Sequence, residues 1–213
     1  MTAVSKAPRA EAGLSKTVDY YFSTISPFSY LGHQRFAQVA AKRGATVNLK
    51  PIDLAKVFPV SGGLPLKQRA PQRQAYRLVE LARWRDALGV PITLEPKFFP
   101  APAEPSALLI VATDLAHGAS AAMDMALALY RACWVEERNV ADAATLREVA
   151  RAQGRDPDRL MSPAVAAEAK PKFDAYVQEA IDRGVFGAPT FVIDGVLFWG
   201  QDRLEFVDRA LGS

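Results

Sequence analysis

Strand patterns in this chain are confined to its two ends, with helical patterning filling the stretch between roughly Leu66 and Gly184. Val18-Asp19-Tyr20-Tyr21-Phe22 is a run of β-branched and aromatic residues closed by the turn-like Ser23-Thr24-Ile25-Ser26-Pro27, a strand followed by a loop. From Pro27 on, Tyr30, Leu31, Phe36, Val39 and Ala40 fall near helical spacing. Gly44 stops that pattern, and Lys42 and Arg43 in the last turn suit the helix dipole. Ala45 to Leu49 reads as a second strand ending before Pro51, and such a β-α-β opening favours a right-handed crossover and a parallel pair. At the far end Thr190 to Ile193, an Asp194-Gly195 turn and Val196 to Trp199 read as a hairpin, and Gln201 to Leu211 as a closing helix.

Between these ends the spacing predicts helices over Pro71 to Leu88, Glu104 to Ala116, Ser120 to Glu137, Asp142 to Gln153 and Pro163 to Arg183. The proline-rich Pro91 to Pro105 reads as an extended connector. The order β-α-β, helical block, β-β-α matches an α/β thioredoxin-like fold with a large all-helical insertion. The expected division is a loose tail over 1–16, a thioredoxin-like domain from 17–55 and 176–213, and a helical insertion over 56–175.

With 213 residues, 50% of them hydrophobic and 23% charged, the chain can bury a core without disulfide or metal staples. A net charge of +3 is too small to imply a nucleic-acid partner. The one cysteine, Cys133, permits no internal disulfide, no CxxC pair and no cysteine-based zinc site; the two histidines, His33 and His117, lie far apart. A signal-peptide run and an uninterrupted apolar stretch of about 18 residues are both missing from the sequence, so a cytoplasmic protein without a membrane span is expected.

Three loops carry candidate chemistry. Ser26 suits an N-cap and Pro27 the first helical position, so Ser26-Pro27-Phe28-Ser29 reads as a well-made helix start. In a thioredoxin fold this same helix terminus favours a thiolate, and a serine here cannot be the thiol but can donate to a sulfur carried by a ligand, glutathione being the obvious source. Gly187-Ala188-Pro189-Thr190, directly before the returning strand, is either an ordinary loop or, with Pro189 cis, a clamp in which Ala188 backbone groups pair with an extended peptide ligand. Gly200-Gln201-Asp202 opens the last helix, where Asp202 caps it, partners a ligand ammonium group, or does both.

Asp19-Tyr20-Tyr21-Phe22 with Ser26 to Gly32, Tyr76 through Pro91, Pro96-Lys97-Phe98-Phe99-Pro100, Gly184 to Phe191, and Leu197 to Leu204 occur in this order over nearly the whole chain after Lys16. This set resembles the glutathione-dependent 2-hydroxychromene-2-carboxylate isomerases and the related kappa-class glutathione transferases, within the DsbA-like group. The resemblance implies bound glutathione as cofactor and a homodimer. It implies Ser26 beside the glutathione sulfur, Ala188 and Pro189 as the clamp on its cysteinyl part, and Gln201 and Asp202 against its γ-glutamyl end. Where kappa-like proteins carry a Gly-Asn turn and then a lysine before the tyrosine, this chain has Ser61-Gly62-Gly63-Leu64 and Arg73. Arg73 can replace the lysine charge, with Lys67 and Arg69 competing for that role.

Six bases, Lys67, Arg69, Arg73, Arg77, Arg83 and Arg85, face only Glu80 and Asp86 in that neighbourhood. They form either a solvated face or a mouth that attracts carboxylates. Cys133 reads as a small core residue, His33 as a surface or satisfied core residue, and Trp84, Phe98, Phe99, Trp134 and Trp199 as packing residues, one or two of them candidates for an acceptor pocket. The expected function is a glutathione-dependent isomerase of 2-hydroxychromene-2-carboxylate-type aromatic acids, acting in aromatic catabolism by transient thiol addition, rotation and elimination. Alternatives are a glutathione transferase or peroxidase and a non-enzymatic ligand carrier. A disulfide oxidoreductase is disfavoured because no second cysteine can resolve a mixed disulfide.

Overall fold

The computed structural model describes residues 16–212. Its sheet has the order β2-β1-β3-β4, built from β1 (Thr17–Phe22), β2 (Thr46–Pro51), β3 (Thr190–Ile193) and β4 (Val196–Trp199). β1 pairs in parallel with β2 and antiparallel with β3, so the two ends of the chain share one sheet. This is the thioredoxin-like arrangement with a helical insertion. β2 runs past its expected end to Pro51, which lies opposite Phe22; a proline is tolerated there because β2 is an edge strand. Asp194 and Gly195 both take positive φ, 50° and 79°, as a two-residue hairpin turn requires.

The period-two pattern of β1 sorts its side chains between two layers. Tyr20 stacks on Phe22 and Phe191 and meets Phe36 of α1 (Pro27–Arg43), with ring centroids 4.6, 5.2 and 4.7 Å apart. Each such pair contributes about 0.5–1.5 kcal/mol beyond its buried area. On the other face Asp19 and Tyr21 meet Lys50, whose ammonium lies 2.9 Å from Asp19, 2.8 Å from Glu179 of α7 (Pro163–Asp182) and 5.4 Å from the Tyr21 ring centroid. A lysine so deeply buried needs those paired carboxylates.

The insertion departs from expectation at its start. Leu54–Ser61 forms a helix, α2, that periodicity missed, because it is short and contains Pro59. Asp53 caps it by accepting from Ala55 N–H at 2.9 Å, and Gly62 ends it in a left-handed conformation. After α3 (Pro71–Leu88), the two helices expected over 104–116 and 120–137 both form; together they make α4 (Glu104–Trp134), kinked between them where Gly118 takes φ 81° and ψ 172°. By length and composition α4 could cross a membrane, with a mean hydropathy of 1.3 in its most apolar window. Its apolar residues Ala122, Met125, Ala126 and Leu129 are instead buried against the sheet and the neighbouring helices, which makes it the central core helix. Two short helices, α5 (Ala143–Ala152) and α6 (Pro157–Leu160), precede α7. A 3-10 turn over Gln201–Arg203 leads into α8 (Leu204–Gly212), which packs on α1.

Residues 1–15 of the expected tail lie outside the described residues. Lys16 is already held by the fold, donating to the Ala210 carbonyl at 3.0 Å and lying 3.3 Å from Asp194.

Candidate active site

The loop from β1 turns back through Ser26, whose amide bonds the Ser23 carbonyl at 2.9 Å, and delivers the chain into α1 with Pro27 at its first position. Ser26 Oγ accepts the Ser29 N–H at 3.2 Å as a helix cap and donates to the Ala188 carbonyl at 3.0 Å. The Ala188-Pro189 bond is cis, as expected, and Phe99-Pro100 is a second cis bond that the sequence reading did not single out. Ser26 and Ala188 are therefore in direct contact, at a helix N-terminus whose free N–H groups favour negative charge. The Ala188 carbonyl, expected to be open to a ligand, is here occupied by the serine hydroxyl.

The third loop is anchored to the same framework. Gly200 N–H bonds the Pro189 carbonyl at 2.9 Å, and Gln201 packs so closely on α1 that a Cβ at Gly32 would stand 2.7 Å from the Gln201 Cβ. Gln201 is buried and its side-chain oxygen accepts from Arg35 at 2.8 Å, so that side chain braces the loop. Asp202 is exposed and pairs with Arg203 at 2.9 Å. Beside Ala188, Gly187 leaves room for the Trp199 indole, which a Cβ there would strike. Trp199, expected either to pack or to line an acceptor pocket, is 50% exposed and edge-on to Phe186, itself 40% exposed, with ring centroids 4.7 Å apart. Together they make an apolar shelf next to the Ser26–Ala188 contact.

The basic cluster divides. Arg83 pairs with Glu80 and Arg85 with Asp86, each at 2.8 Å on the surface. Arg69, Arg73 and Arg77 have no salt bridge among the described residues. Arg73 and Lys67 are exposed, and Arg69 donates to the Leu64 carbonyl at 2.8 Å. Arg77 is only 9% exposed, and one of its terminal nitrogens, Nη2, has no hydrogen-bond partner among the described residues. Burial, aided by the nearby Arg69 charge, pushes its pKa down to about 10. The sequence reading placed Arg77 in the cluster without separating it from its neighbours.

The remaining nucleophilic and titratable groups sit apart from this site. Cys133 is buried in α4 with its thiol pushed up to about 12 by burial, which removes it from thiolate chemistry. His33 is a satisfied core residue, with Nδ1 3.3 Å from Tyr20 Oη and Nε2 3.0 Å from the Met123 carbonyl.

The family model of the DSBA-like thioredoxin domain matches residues 17–212. The chain belongs to that family. Among its DsbA-like relatives, a 2-hydroxychromene-2-carboxylate isomerase of Sphingobium xenophagum is 30% identical over 199 residues, covering 93% of this chain and 99% of the relative. Glutathione S-transferase kappa 2 of Caenorhabditis elegans is 28% identical, covering 90% of each chain. A solved structure of a 2-hydroxychromene-2-carboxylate isomerase superposes with a TM-score of 0.75 at 30% identity, covering 92% of this chain and 94% of that one. The likeness to isomerases and kappa-class transferases read from the motifs thus extends along the DsbA-like chain as a whole.

Proposed function

We propose that this chain is a glutathione-dependent isomerase of 2-hydroxychromene-2-carboxylate-type aromatic acids. The observation that carries this reading is a hydroxyl, in place of a thiol, at the α1 N-terminus: Ser26 Oγ caps α1 and touches Ala188, while Cys133 is buried in α4. Glutathione, when bound, supplies a thiol whose transient addition to a conjugated double bond permits rotation before elimination restores the thiol and the new isomer. The residues present fit that group. Ser26 has one hydroxyl proton on a rotatable bond, and turning it from the Ala188 carbonyl toward a sulfur frees that carbonyl to accept a peptide N–H. The lone pair that caps α1 is kept throughout. Asp202 is exposed for an ammonium group, and Arg73, Lys67 and Arg69 give the mouth a positive potential that attracts carboxylates.

The isomerase names of the relatives favour this reaction, and the kappa-class relative supports a second reading as a transferase with the same thiol site. A homodimer and a place in aromatic catabolism belong to the same proposal and rest on the family resemblance; a cytoplasmic location is proposed with them. The test is to mix the protein with glutathione and 2-hydroxychromene-2-carboxylate and follow the isomers by absorbance. Glutathione-dependent interconversion is expected. Release of a stable glutathione conjugate identifies a transferase, and no change with or without glutathione overturns both.

A further inference from the structure

We propose that Arg77 is the receptor for a carboxylate of the bound ligand, with its unpartnered Nη2 and the underlying Phe99 ring together forming a subsite for an aromatic acid. The inference rests on the reading that such an acid enters the cleft beside Ser26.

The guanidinium carbon of Arg77 stands 5.0 Å from the centroid of the Phe99 ring. Phe99 in turn packs on Trp134, with ring centroids 5.0 Å apart, and Trp134 Nε1 donates to the Thr24 carbonyl at 3.0 Å. Thr24 lies in the loop that ends at Ser26. A continuous run of contacts therefore links the guanidinium to the loop that carries the candidate catalytic hydroxyl.

Burying a guanidinium without an anion is unfavourable, and folded proteins ordinarily pair such a group. Phe99 satisfies one face of it by cation–π attraction. That contact provides no acceptor for Nη2, and Glu95, the acid whose charge reaches Arg77, is exposed and makes no salt bridge with it. Arg69 adds positive charge nearby, as does Arg73 to Arg69. Arg83 and Arg85, six and eight residues away in sequence, do have their acids. A planar fork of donors in a partly dry site, over an aromatic ring, matches the shape of a carboxylate joined to a conjugated ring system.

A carboxylate could come from the aromatic acid or from the glycine end of glutathione, so the experiment has an arm for each. Calorimetric titration of wild type, Arg77→Met and Arg77→Lys uses trans-2-hydroxycinnamate and its amide in one arm, and glutathione and its glycinamide form in the other. Arg77→Met should weaken trans-2-hydroxycinnamate tenfold or more and leave its amide unchanged, with Arg77→Lys intermediate. The thermal midpoint of unliganded Arg77→Met should equal or exceed that of wild type, because the substitution removes a buried charge that has no anionic partner among the described residues. A loss confined to glutathione, absent in the glycinamide form, also supports a carboxylate receptor and assigns it to the peptide. If neither acid loses affinity, or if acid and amide weaken equally while the midpoint falls, Arg77 is a structural residue and the proposal is overturned. Because binding is read without turnover, an Arg77-dependent binder that does not isomerise overturns the isomerase reading alone. An isomerase indifferent to Arg77 overturns this one alone.

Discussion

Ser26 Oγ donates to the Ala188 carbonyl at 3.0 Å, joining residues 162 positions apart. The same oxygen accepts from Ser29 N–H, so one small side chain starts α1, ties it to the segment entering β3, and holds the only mobile proton in that contact. A cysteine would cap more weakly, because sulfur is a poor acceptor.

Ser26→Ala should therefore have two separable effects. Loss of the cap costs about 1 kcal/mol and loss of the buried hydrogen bond about another, lowering the thermal midpoint by roughly 4–8 °C. The second effect is on the bound thiol. A charge-assisted bond of about 1.5–3 kcal/mol corresponds to about one to two pKa units, so the thiol pKa should rise and turnover at neutral pH should fall, recovering in part as pH increases. Thiolate absorbance of the glutathione complex against pH measures this, with Ser26→Gly as the milder cap change. An unmoved thiol pKa in both folded variants would leave Ser26 as a cap alone.

Gly32→Ala tests how the Asp202 loop is positioned. Alanine raises helix propensity by about 1 kcal/mol, but its Cβ would stand 2.7 Å from the Gln201 Cβ, and overpacking of this kind costs about 1–3 kcal/mol. The expected outcome is a net loss of stability in urea unfolding, with weaker glutathione binding as Gln201 and Asp202 are pushed from α1. Unchanged affinity would separate Asp202 from the ligand.

His33 makes stability depend on pH in a defined direction. Burial lowers its pKa from 6.5 to about 4, only partly opposed by the Met123 carbonyl, so between those values the unfolded chain binds a proton that the folded one refuses. Stability should hold above pH 6.5 and fall as the pH drops toward 4, by up to roughly 3 kcal/mol. His33→Gln should flatten the slope of urea midpoint against pH. Identical slopes in the two proteins would exclude His33 as its source.

Much of the site was legible because its signals are local. Ser26-Pro27 is a cap and first-turn pair, and Gly187-Ala188-Pro189-Thr190 precedes a strand, whatever the rest of the chain does. Helix α2 was not legible, since eight residues with an internal proline offer too few turns for periodicity. The break between the two helices of α4 was legible, because a glycine is a local stop signal, and Gly118 leaves the helical region at φ 81° and ψ 172°.

The sequence alone determined the order of the strands and of the longer helices, the hydroxyl at the start of α1, and the lack of a second cysteine. Each of these depends on neighbouring residues or on composition. Tertiary structure decided how the polar groups were partnered: Ser26 with Ala188, Gln201 with Arg35, Arg83 and Arg85 with acids, and Arg77 with no acid among the described residues. Pairing is a matter of distance in space and of burial. Arginines that look alike in a charged run differ once α3 turns one inward over Phe99 and leaves the others in water.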